Sequence, residues 1–86
     1  MEEHQRVALE GVAERERDAA RLEAEMAEVC GLLNAATARL VGLIGQVLGT
    51  EAWEGFGIHS PEQWVAWKCG VSRRRARALV CMARRL

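Results

Sequence analysis

The chain has 86 residues, half of them hydrophobic and 28% charged, with one proline and 5% aromatics. That suffices for one small domain, is too apolar for a disordered tail, and is rich in the helix formers Ala, Leu, Glu and Arg. The formal charge is zero, yet residues 1–50 hold nine acids against five arginines, a balance of −4, while residues 51–86 carry +4 with no acid after Glu62.

Residues 2 to about 48 lack proline. From Ala19 onward apolar residues alternate steps of three and four through Leu22, Met26, Val29, Leu33, Ala36, Leu40, Leu43 and Val47. This is a heptad seam, which keeps one stripe facing a partner along a helix. Glu and Arg fill the other positions up to Arg39, with supporting pairs such as Glu2–Arg6 and Asp18–Arg21. After Leu32 the stripe widens through Val41, Ile44 and Leu48, which implies burial on more than one side. Gly42, Gly45 and Gly49 offer another helix a close approach, at about 1 kcal/mol each relative to alanine; Gly49 is alternatively the helix stop.

A helix of ~45 residues is roughly 65–70 Å long, with more apolar surface than the second half can cover. Leu22, Met26, Val29, Leu33, Leu40, Leu43 and Val47 are therefore expected to form the interface of a homodimer or other homo-oligomer. Packing of the same seam onto the second half of the chain is the competing reading. Strand number and orientation stay open.

Residues 50–59 form the junction between this long helix (1–49) and a C-terminal segment (60–86). Gly55 and Gly57 loosen it, and Trp53, Phe56 and Ile58 are expected to plug it. Ser60 is a preferred N-cap, Pro61 suits the first helical position, and Gln63 completes an S-x-x-Q capping box. The helix so opened runs to about Cys69, where Gly70 supplies the left-handed conformation that ends it. Ser72 caps a further helix from Arg73 towards Leu86. Two short helices joined by a glycine-containing turn have the spacing of a helix-turn-helix. Ala66 is the small residue at the expected crossing, with Val65, Cys69, Val71, Ala76 and Leu79 at the packing positions.

At 100° per residue, Ala76, Leu79, Val80, Ala83 and Leu86 share one face of the last helix. Arg73, Arg77 and Arg84 lie on one flank, Arg74 and Arg85 opposite the core, and Arg75 on the other side. Three arginines in a first turn oppose the helix dipole at roughly 0.3–1 kcal/mol each. A phosphate or a guanine edge would offset that cost, since arginine forks match both. The pattern predicts double-stranded DNA as partner, with Ser72, Arg73, Arg74 and Arg77 near the groove and Lys68, Arg84 and Arg85 on phosphates. A solvated arginine face, or one paired with glutamates of the first half, is the plainer alternative. Trp64 and Trp67 are assigned to the core, with stacking on bases the minor alternative.

Cys30, Cys69 and Cys81 make no C-x-x-C pair and are read as buried, reduced thiols; with His4 and His59 they supply no zinc site. No cofactor, metal or small-molecule substrate is expected, and no enzymatic activity, there being no Gly-rich phosphate loop and no nucleophile beside a base. The acidic N-terminus does not resemble a signal peptide, and the longest apolar run, residues 40–48, falls short of the ~20 residues of a membrane span. The expectation is a soluble cytoplasmic protein without a membrane partner.

"HSPEQWVAWKCGVSRRRARALVCMARRL" (59–86) resembles the actinobacterial 13E12 repeat family, whose N-terminal region is known as domain of unknown function 222. The resemblance rests on Trp64 and Trp67, the turn Gly70-Val71-Ser72, the run Arg73 to Arg77 and the closing Ala83-Arg84-Arg85-Leu86. "LLNAATARLVGLI" (32–44) is similar in character. Such proteins commonly carry an HNH nuclease domain, for which these 86 residues hold no counterpart. The resemblance implies a module of a nuclease-associated mobile-element protein. The fold expected is all-α, a long amphipathic heptad helix followed by a helix-turn-helix. The function expected is DNA binding, with a protein-interaction and oligomerisation module working through the heptad helix as the alternative.

Overall fold

A computed structural model describes residues 2–55 and 57–86. They form three α-helices, α1 (Glu3–Thr50), α2 (Pro61–Cys69) and α3 (Arg73–Arg84), and no strand. The all-α expectation holds. The chain divides into two units, one ending at Asn34 and the other spanning Ala35–Leu86. The division falls inside α1, not at the junction after residue 49.

In the first unit every side chain from Glu14 to Asn34 is exposed. Arg6 pairs with Glu3 (3.6 Å), one residue from the expected Glu2. Arg21 reaches both Asp18 (3.7 Å) and Glu25 (3.8 Å). Such surface pairs stabilise a helix by about 0.2–0.5 kcal/mol each. The apolar residues Leu22, Met26, Val29, Leu32 and Leu33 remain 50–66% exposed.

The second unit holds the core. Val41 and Ile44 of α1, Val65 of α2, and Ala76, Leu79, Val80 and Ala83 of α3 are buried together, with Leu40, Leu48, Trp64, Ala66, Val71 and Met82 packed around them. The last turns of α1 thus bury the face carrying Leu40, Val41, Ile44 and Leu48, while Leu43 is 47% exposed. Gly45 is the point of close approach: a Cβ there would lie 3.5 Å from Leu86 Cδ1 and 3.9 Å from the Ala83 carbonyl. Gly42 and Gly49 have no such neighbour. The helix also ends later than Gly49, through Thr50, and Glu51 takes the left-handed conformation (φ 57°).

By length and composition α1 also qualifies as a membrane-crossing helix, with mean hydropathy 1.4 over 18 residues, of which 11% are buried. Counting only the run 40–48 misses this, because isolated polar residues do not offset the apolar ones around them. Val41 and Ile44, within the apolar end of α1, are committed to the core.

The caps of α2 and α3 fall where their residues demand. Ser60 Oγ accepts the Gln63 N–H (3.1 Å), and Gln63 Oε1 accepts the His59 N–H (2.6 Å), one residue beyond the N-cap that a capping box would engage. Gln63 Nε2 also donates to the Gly57 carbonyl (3.4 Å). Gly70 closes α2 at φ 65°, and the Val71 N–H donates to the Ala66 carbonyl (3.2 Å), the six-to-one bond of a Schellman close. Ser72 Oγ then accepts the Arg75 N–H (3.1 Å). Trp53 and Ile58 are half-buried in the junction as expected; Phe56 lies outside the described residues.

Three packing expectations are corrected. Trp67 is 66% exposed, with Lys68 Nζ 4.2 Å from its ring centroid. It lies 200° around α2 from the buried Val65, so one helix of nine residues cannot bury both. Cys69 is exposed because it ends α2 beyond the crossing with α3. Cys30 and Cys81 are exposed too, on the uncovered first unit and on the outer side of α3, so none of the thiols is buried.

Leu79→Ala should cost about 2–5 kcal/mol in chemical denaturation, as for other fully buried leucines. Trp67→Ala should cost under about 1 kcal/mol despite removing a larger side chain.

Candidate nucleic-acid interface

Because Ala76, Leu79, Val80 and Ala83 are turned into the core, the exposed remainder of α3 is mostly arginine, with Ala78 and Cys81 as small gaps. Arg73, Arg74, Arg75, Arg77, Arg84 and Arg85 are all exposed, and α3 has no acid in its first turn. Arg73, Arg74, Arg75, Arg77 and Arg85 make no ion pair among the described residues. Exposed guanidiniums with free donors are suited to bidentate recognition of phosphate or carboxylate.

Arg73 and Arg77, though exposed, also border a cleft of about 390 Å³ together with His59, Ser60, Glu62 and Gln63. The cleft exists because the α2–turn–α3 geometry brings the start of α2 beside the first two turns of α3. Ser60 Oγ and Gln63 Oε1 are occupied by capping bonds. The cations of the cleft are thus Arg73 and Arg77.

Arg84, expected on a phosphate, makes an ion pair with α2: its Nη1 lies 3.3 Å from Glu62 Oε1. This is one interhelical pair between α2 and α3, and Glu62 is the only acid in the cleft lining. Lys68 is exposed on α2, occupied with Trp67, and Ser72 is the N-cap, its hydroxyl engaged by Arg75.

The expected site residues therefore separate. Ser72, Arg73, Arg74 and Arg77 lie on the first two turns of α3 and its cap; Arg84 and Arg85 lie at its end; Lys68 lies on α2. His59 and Gln63, absent from the sequence-based set, join Arg73 and Arg77 in the cleft. Their one signal in the sequence is the capping box that also starts α2. Of the expected oligomer residues, Leu22, Met26, Val29, Leu33 and Leu43 are exposed, Val47 is half-buried and Leu40 packs on the core. Among the described residues no three His, Cys, Asp or Glu side chains gather closely enough to hold a metal ion. No protein-family model, curated protein or solved structure matches the chain.

Proposed function

We propose that the second unit binds double-stranded DNA as a helix-turn-helix, with α3 as the helix presented to the major groove. The observation that carries the reading is the acid-free, arginine-lined outer surface of α3, fixed by the burial of its opposite side. The three-residue connection Gly70–Ser72 between α2 and α3 supports it. In this reading Arg73, Arg74 and Arg77 approach base edges or the phosphates flanking them, and Arg85 and Lys68 hold backbone phosphates. Arg84 reaches a phosphate by exchanging its Glu62 partner. In this reading the protein acts as a homo-oligomer in the cytoplasm, without cofactor or catalytic step, and the resemblance of residues 59–86 to the 13E12 repeat proteins supports a nuclease-associated role.

The exposed stripe Leu22–Leu33 favours a second reading. There the chain is a protein-interaction module, and α3 meets an acidic protein surface.

Titrating salt against binding to random duplex DNA separates the two. Under the first reading log affinity falls linearly with log salt, with a slope of roughly −0.9 per phosphate neutralised. Replacing Arg73, Arg74 and Arg77 together by Ala should flatten that slope by up to roughly three such increments, one for each that sits on a phosphate. Affinity that barely changes with salt, or a triple variant that still retains DNA, overturns the reading. Glu62→Gln frees Arg84 and removes the acid from the cleft. It should tighten DNA binding by on the order of 0.5–1 kcal/mol, the scale of one partly exposed ion pair, in the same titration.

A further inference from the structure

A helix segment exposed on all sides derives little stability from propensity alone, and the exposed stripe of the first unit restricts what can cover it. Its steps place Ala19, Met26 and Leu33 at heptad position a, and Leu22 and Val29 at d. Asp18, Glu25 and Leu32 fall at g, Glu23 and Cys30 at e. Leu22, Glu25, Met26, Val29 and, at its edge, Cys30 line a shallow groove on the helix surface. The first four make the d-g-a-d hole that receives a knob from a second helix.

We propose that the stripe is covered by the same stripe of a second copy running antiparallel, in the register that sets Leu22 opposite Leu33 and Met26 opposite Val29. The proposal rests on the self-association part of the reading above and is independent of its nucleic-acid part.

Charge selects the orientation. In a parallel in-register pair, each g residue faces the e residue five positions later on its partner, which sets Asp18 against Glu23 on both flanks. In the antiparallel pair e faces e and g faces g. Glu23 then meets Cys30, and Glu25 lays its methylenes along Leu32, so no like charges oppose one another. Side-chain shape agrees. Parallel dimers favour β-branched residues at a and Leu at d, whereas Met26 and Leu33 occupy a here and β-branched Val29 sits at d.

The register follows from the neighbours of the stripe. A shift of one heptad in one direction places Arg15 opposite Leu33. The same shift in the other direction requires Leu40 opposite Leu22, and Leu40 packs against Val41, Ile44 and their cluster. Only the register centred between Ala27 and Glu28 matches the four large apolar residues to one another.

The test uses the full chain with Cys30, Cys69 and Cys81 changed to Ser and a single new cysteine, Leu22→Cys or Leu33→Cys. The two variants are oxidised separately and as an equal mixture refolded together, and helicity is checked by circular dichroism. A disulfide-linked dimer in the mixture, and in neither variant alone, is the expected result. Self-linking of each variant overturns the antiparallel arrangement, and no linking in the mixture overturns the register. The unmodified chain should sediment as a dimer; a monomer at high concentration removes the self-association reading itself. Glu23→Lys, which leaves the apolar stripe intact, gives a second measurement. It should leave the dimer dissociation constant unchanged, whereas a tightening would reveal Asp18 opposite it in a parallel pair.

Discussion

Ala76, Leu79, Val80 and Ala83 bind one side of α3 to Val65 of α2 and to Val41 and Ile44 of α1, and the rest of the second unit is arranged around that contact. Two of the four α3 residues are alanines, so the helix lies close against its neighbours. Rotation about its own axis would bury an arginine without a partner, which costs several kcal/mol. The core is small, but it sets the azimuth of α3, and every guanidinium of that helix is turned to solvent as a consequence.

That azimuth turns charge patterning into a surface. Arg73, Arg74 and Arg75 oppose the positive end of the helix dipole, and Ser72 relieves part of the conflict by accepting the Arg75 N–H. Gly70 sets the direction of approach, because its positive φ turns the chain at the end of α2 at little steric cost. The start of α2 then flanks the start of α3, and His59 and Glu62 come to line the same cleft as Arg73 and Arg77. The Glu62–Arg84 pair holds one arginine to α2. In the proposed reading this pair tempers an otherwise wholly basic surface.

α1 is used differently along its length. Its last turns contribute Leu40, Val41, Ile44 and Leu48 to the core, with Gly45 beside Leu86. From Glu14 to Asn34 its apolar residues face solvent. Both stretches satisfy the same heptad count, but the covered face near the C-terminal end is shifted around the helix towards Val41 and Ile44. A strict 3.5-residue repeat drifts relative to a straight 3.6-residue helix, so one seam cannot describe both.

Local rules determined the helix content, the starts of α2 and α3 at Ser60 and Ser72, the stop at Gly70 and the apolar face of α3. Each depends on a few neighbouring residues whose backbone preferences and hydrogen bonds agree. Tertiary packing decided what adjacency in the chain does not encode. Trp64 and Trp67 look alike in sequence, yet a nine-residue helix touching its neighbours on one side buries the first more than the second. Arg84 looks like any other arginine of its run until the crossing of α2 and α3 brings Glu62 within 3.3 Å. The cysteines, apolar by composition, stay exposed because the core is too small to reach them. Periodicity names the side of a helix that seeks cover, and only the position of the neighbouring helices determines which of its residues receive it.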